Sequence, residues 1–136
     1  MIDAVPGPYF TVDEANAALE HVRPLAESMV AHRQALAAAG ERWNELAGKI
    51  AGNGGGLDRG ELAGLQEKIE REQGEVARCI RVIQSHGGQV KDVDTGLLDF
   101  PSHRDGVEIE LCWQVGEERI EYWHGLEEGF AGRKPI

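Results

Sequence analysis

Over the first 86 positions of this chain, apolar residues recur every three or four places. After Gly87-Gly88 they recur every second place. The first period is that of a helix with one buried face, and the second that of a strand with one buried face. The pattern therefore predicts helices followed by a small sheet.

A first helix is expected over residues 11–51. Thr11 and Glu14 form a capping box at its start, the hydroxyl of one and the carboxylate of the other each accepting from the partner's backbone N–H. A 4-3 stripe then runs through Ala15, Leu19, Val22, Ala26, Met29, Arg33, Leu36, Gly40, Trp43, Ala47 and Ile50. Pro24 removes a backbone donor inside this run and predicts a kink there, with the first three turns leaning over the sheet as a lid. A second helix is expected over 58–86, capped by Asp58 and stapled by Leu57 onto Leu62. Its stripe is Leu62, Leu65, Ile69, Glu72, Val76, Cys79 and Ile83, and Gly87 follows in the C′ position.

Residues 52–57, including Gly52-Asn53-Gly54-Gly55-Gly56, join the two. A phosphate-binding loop needs Gly-Lys-Ser/Thr at its end and a strand before it, and this segment has neither, so it reads as a hairpin connection. Arg33 and Glu72 occupy stripe positions that an antiparallel hairpin brings within a turn of each other, and are expected to form an interhelical ion pair. Neither helix carries the Glu-x-x-His pairs of a di-iron bundle.

The sheet is expected over 89–124, with residues 125–136 as a tail. Asp105-Gly106 suits a type I′ turn and Gly116-Glu117 a type II′ turn. Pairing outward from both gives one face of Leu98–Trp113–Ile120, Phe100–Leu111–Tyr122 and Ser102–Ile109–His124. The other face holds Asp99–Cys112–Glu121, Leu97–Gln114–Arg119 and Pro101–Glu110–Trp123. Pro101 then lies on an edge strand, which can spare its N–H, and Val90–Val93 is a candidate fourth strand.

The second face reads first as a solvated acidic surface with a small half-buried cysteine, and it is also where any chemistry of the sheet would sit. Asp99, Cys112 and Glu121 would stand side by side at steps of about 5 Å, a donor set suited to a borderline divalent cation, with Glu110 or His103 nearby. The flanking carboxylates disfavour a thiolate, so a nucleophilic Cys112 is not expected without a metal or base. This register puts His124 on the opposite face from Cys112, packed among aromatics. Asp92-Val93-Asp94-Thr95-Gly96 fails as a calcium loop, because its glycine comes one place early and His103 stands where the glutamate belongs. Arg133 is expected to pair with a sheet carboxylate.

Net charge is −10, and residues 89–136 alone carry 11 acids against 5 bases, so phosphate backbones and anionic lipid are poor partners. Two cysteines are too few for a disulfide framework, the amino terminus lacks a signal-peptide pattern, and no apolar run reaches membrane-spanning length. A cytoplasmic protein is expected, binding neither nucleic acid nor membrane.

The run Val90–Pro101 resembles a bacterial and archaeal family called domain of unknown function 2203. So do Leu111-Cys112-Trp113, Tyr122-Trp123-His124, Gly129-Phe130-Ala131-Gly132-Arg133, and Tyr9-Phe10-Thr11 with Glu14-Ala15-Asn16. The resemblance covers nearly the whole chain and implies no activity. It implies that Asp99, Cys112, Glu117, His124 and Arg133 lie in signature stretches, which makes Glu117, His124 and Arg133 further candidates for a ligand site.

The fold expected is α+β in a single domain: a long antiparallel helical hairpin, then a small three-stranded antiparallel sheet. Leu25, Val30, Leu46 and Ile80 beside the seam predict a homodimer whose hairpins form a four-helix bundle. The leading expectation for function is a non-enzymatic interaction or scaffold module, with a protein partner or a second copy. The alternative is a small metal- or ligand-binding protein, with enzymatic activity left open, using the sheet.

Overall fold

The computed structural model describes residues 9–53 and 59–136, the side chains of residues 50–53 excepted. Gly54-Gly55-Gly56, the Leu57 staple and the Asp58 cap lie outside the described residues. Helix α1 spans Val12–Asn53 and α2 spans Arg59–Ser85. An antiparallel sheet follows: β1 Gln89–Asp92, β2 Leu97–Arg104, β3 Val107–Gln114, β4 Tyr122–Gly125 and β5 Lys134–Pro135, in that spatial order. It has five strands, not three. Val90–Val93 supplies most of β1, and the tail returns to add β5, a two-residue strand too short to show any alternation.

The capping box forms, with Glu14 N–H donating to Thr11 Oγ1 at 3.1 Å and Thr11 N–H to Glu14 Oε1 at 2.9 Å. At the far end Gly87 takes φ +92°, while Gly88 N–H reaches the Ile83 carbonyl and Gly87 N–H that of Gln84. That pair of bonds closes α2 in a Schellman motif. Helix α1 runs unbroken through Pro24, which sits on its exposed side.

Helix α1 has two buried faces. Ala15, Leu19, Val22, Ala26 and Met29 are all within 1% of complete burial, packed with Leu98, Phe100, Leu111, Trp113 and Ile120 of the sheet half and with Cys79 and Ile83 of α2. Arg33 continues that sheet-facing stripe, and its Nε donates to Asp94 at 3.0 Å. Glu72 meets His32 instead, Nδ1 to Oε1 at 2.6 Å. His32, Ala39 and Leu46 repeat at intervals of seven on the side facing α2, and Ala39 and Leu46 are buried. The expected Arg33–Glu72 pair fails because one stripe had been extended along the whole helix. Past the edge of the sheet, the burying partner is α2 alone, and it lies on a different side.

The β2–β3 hairpin has the expected register, Leu98 opposite Trp113, Phe100 opposite Leu111 and Asp99 opposite Cys112. Asp105 and Gly106 have φ of 53° and 78°, the positive pair a type I′ turn demands.

The β3–β4 pairing departs from expectation by one residue: Cys112 lies opposite Tyr122, Leu111 opposite Trp123 and Glu110 opposite His124. Long-range bonds from α1 set this offset. Asn16 Oδ1 accepts the Ile120 N–H at 2.8 Å, and Asn16 Nδ2 donates back to the Ile120 carbonyl. Arg23 donates to the carbonyls of Glu117 and Glu118, and Trp113 Nε1 donates to Glu117 O at 3.0 Å. Ile120 is thereby tied to the helix rather than to β3, and pairing resumes only at Tyr122. The slip exchanges Tyr122 for Trp123 on the helix side. Trp123 there lies beneath Arg104 and Lys134, while Tyr122 on the other side lies beneath Arg133.

Candidate metal centre

Because side chains alternate, the one-residue offset turns His124 onto the same face as Asp99 and Cys112. The opposite-face placement expected for His124 is overturned. One ligating atom from each of Asp99, Cys112 and His124 lies within 4.8 Å of the other two, and all three residues are buried, at 2%, 0% and 4% exposure. Three adjacent strands, β2, β3 and β4, contribute one residue each. Glu121, the third member of the expected row, precedes β4 and is exposed; its carbonyl accepts the Ile136 N–H.

The hydrogen bonds define the electronic state of the group. His124 Nδ1 is 2.8 Å from the Gly125 carbonyl oxygen, which can only accept, so Nδ1 carries a hydrogen. Nε2 lies 3.1 Å from Asp99 Oδ2. In the neutral imidazole this places a lone pair against a carboxylate oxygen, an arrangement that calls for positive charge between them, either a proton or a metal ion. An Nδ1–H bond to a backbone carbonyl is the usual outer contact that fixes the tautomer of a metal-binding histidine.

Cys112 completes the set. Burial pushes its thiol up to about 12, reinforced by the negative charge of Asp99 and a hydrogen bond to that carboxylate. Without a cation it is a thiol, as the sequence led one to expect. A divalent ion reverses that preference by direct coordination. Ideal zinc bond lengths imply donor–donor separations of about 3.3–3.7 Å; the Asp99–His124 pair stands at 3.1 Å, and the whole set lies within 4.8 Å.

Two buried carboxylate oxygens, Asp99 Oδ1 and Glu110 Oε2, have no hydrogen-bond partner. Glu110 stands opposite His124 across the β3–β4 ladder. Its carboxyl is raised above the usual range by burial first and by Asp99 second. A cavity of about 170 Å³ opens beside the centre, walled by Asp99, His124 and Glu110 together with Leu97, Leu126 and Phe130. Lys91, where the β1–β2 register shifts, also reaches it.

The tail braces this face. Arg133 Nη2 donates to Glu117 Oε1 at 2.7 Å and to the Cys112 carbonyl at 3.4 Å, and its guanidinium lies 4.1 Å from the centre of the Tyr122 ring. Arg133 and Glu117 are thus tied to each other behind Cys112, and neither lines the cavity. Glu128 Oε1 accepts from Gly125 N–H and from Lys134 Nζ, both at 2.7 Å, closing the turn that carries Phe130 to the rim. His103 packs at a tilt against Tyr9, away from the centre. Glu110, expected near the row, keeps the face that the β2–β3 register gives it, and the β3–β4 offset sets His124 opposite it.

A family model described as an uncharacterised conserved protein, DUF2203, matches residues 8–136. The chain belongs to the DUF2203 family. Comparison with curated proteins and with solved structures gives no match. In this DUF2203 chain, the stretches that carried the resemblance are those that supply Asp99, Cys112, His124 and Arg133. Among the described residues, no helix is long and apolar enough to cross a membrane.

Proposed function

We propose that this DUF2203 chain is a small metal-binding protein whose centre is formed by Asp99, Cys112 and His124. The observation that carries the reading is the convergence of three buried donors from three strands, with the histidine tautomer fixed by Gly125. A mixed oxygen, sulfur and nitrogen set suits zinc or another borderline divalent ion better than calcium or magnesium, which take oxygen. A carboxylate and a thiolate offset the charge of such an ion. The test is metal analysis of the purified full chain beside Cys112→Ser and His124→Ala. One equivalent of metal in the parent, lost in both variants, supports the centre; metal-free parent protein that takes up no added zinc contradicts it.

The hairpin supports a second, separate role. The core shared with the sheet ends at Met29 and Cys79, while Leu36, Trp43, Leu65 and Ile69 farther out are only half-buried. Two helices alone bury one seam, and most helical stability comes from packing an apolar face. A second copy laid against this outer half would complete a four-helix bundle, giving a homodimer with a metal centre at each end.

A further inference from the structure

We infer that the cavity beside the Asp99–Cys112–His124 centre binds a small molecule that ligates the metal and donates an amide- or amine-type N–H to Glu110. The inference rests on the metal reading above. Three protein donors leave a tetrahedral ion one free position. Cys112 is fully buried and absent from the cavity wall, whereas Asp99 and His124 form part of that wall, so the free position faces the cavity.

Glu110 is placed for the incoming molecule rather than for the ion. It does not belong to the set of mutually close donors, yet its side chain lines the same cavity. Its Oε2 is buried without a partner, and so is Asp99 Oδ1. An unsatisfied buried acceptor is costly unless something donates to it. Since Asp99 is engaged by Cys112 and by the ion, the unmet Glu110 acceptor at this small cavity points to a ligand that brings a hydrogen.

Size and walls narrow the class. A cavity of about 150 Å³ holds one benzene ring, and this one measures about 170 Å³. Leu97 lines it, and Leu126 and Phe130 stand at its rim with 52% and 45% of their surface exposed, two of the few large apolar residues so exposed among those described. With Asp99 and a Cys112 thiolate balancing a divalent ion, and Lys91 on the same wall offsetting the Glu110 carboxylate, the cavity favours a neutral guest. A small carboxamide, hydroxamate or amine meets all these conditions.

The test uses the full chain loaded with cobalt(II), whose visible bands report coordination and whose near-ultraviolet band reports a thiolate ligand. Acetohydroxamic acid is the probe with an N–H beside its metal-binding oxygens, and azide is the probe without one. Both should shift the cobalt bands of the parent. In Glu110→Leu the ratio of acetohydroxamate to azide affinity should fall about tenfold or more, the change expected for one lost hydrogen bond to a charged group. In Glu110→Gln, which keeps an acceptor oxygen, most of that ratio should remain. Cobalt bands unmoved by either probe, or a ratio unchanged in Glu110→Leu, would overturn the inference while leaving the metal centre standing. Loss of cobalt itself in Glu110→Leu, with Glu110→Gln still loading, would make Glu110 a ligand and overturn it too. Failure of the parent to give a thiolate–cobalt band would remove the metal reading and this inference together.

Discussion

Asp99 Oδ2 and His124 Nε2 lie 3.1 Å apart, in side chains that are 3% and 5% exposed. Since Nδ1 of the same ring is committed to the Gly125 carbonyl, the neutral ring has no hydrogen to offer Asp99. Positive charge between the two atoms, a proton or a metal ion, satisfies the contact, and the Cys112 thiol beside it suits the metal ion proposed above.

Zinc should accordingly stabilise the fold through this pair. At about a hundredfold excess over its dissociation constant, a ligand specific to the native state adds about 2.7 kcal/mol. Thermal unfolding of chelator-treated protein should show that gain on adding zinc, and Asp99→Asn should abolish most of it. An equal zinc-induced shift in Asp99→Asn would place the ion elsewhere.

Metal affinity should climb with pH. With the Cys112 thiol pushed up to about 12 by burial and by Asp99, it is protonated throughout the neutral range in the metal-free protein. Coordination displaces that proton, so each unit of rising pH favours the bound form about tenfold. Competition titrations against a chromophoric chelator between pH 6 and 8 should give a slope of at least one. A flat profile would mean that the thiolate is not a ligand.

Asn16 and Arg23, both on α1, set the register of β4 by gripping residues 117–120. Asn16→Ala leaves the Ile120 N–H and carbonyl without these partners and should cost about 1–3 kcal/mol in urea unfolding. Because the same contact fixes which face His124 presents, zinc affinity should fall as well, although Asn16 is no ligand. Unchanged affinity in this variant would separate the register from the centre.

The outer hairpin makes an independent prediction about assembly. Light scattering at micromolar concentration should give twice the chain mass, and Trp43→Glu, which sets a charge on the half-buried outer face, should return the monomer mass with zinc binding intact. A monomeric parent would contradict the four-helix arrangement.

Much of this architecture was legible locally. Capping residues, the Schellman glycine and the Asp105-Gly106 turn each act within a few positions, so the sequence shows them directly, and with them the Asp99–Cys112 pairing. The β3–β4 offset was not legible, for two reasons. Its determinants, Asn16 and Arg23, lie about a hundred positions away in the chain. Moreover, Tyr122 and Trp123 are both large aromatics, so burying either satisfies the alternation, and the penalty that normally forbids a slip nearly vanishes. His124 was therefore assigned to the wrong face. The His32–Glu72 pair was missed for a related reason: a helix buried against two partners in succession carries two stripes, and spacing alone does not show where one hands over to the other.

X-ray absorption at the zinc edge of the purified, zinc-loaded full chain tests the centre most directly. The account predicts one sulfur at about 2.3 Å together with nitrogen and oxygen donors at about 2.0–2.2 Å, the sulfur shell vanishing in Cys112→Ser. A shell of nitrogen and oxygen alone in the parent would contradict it.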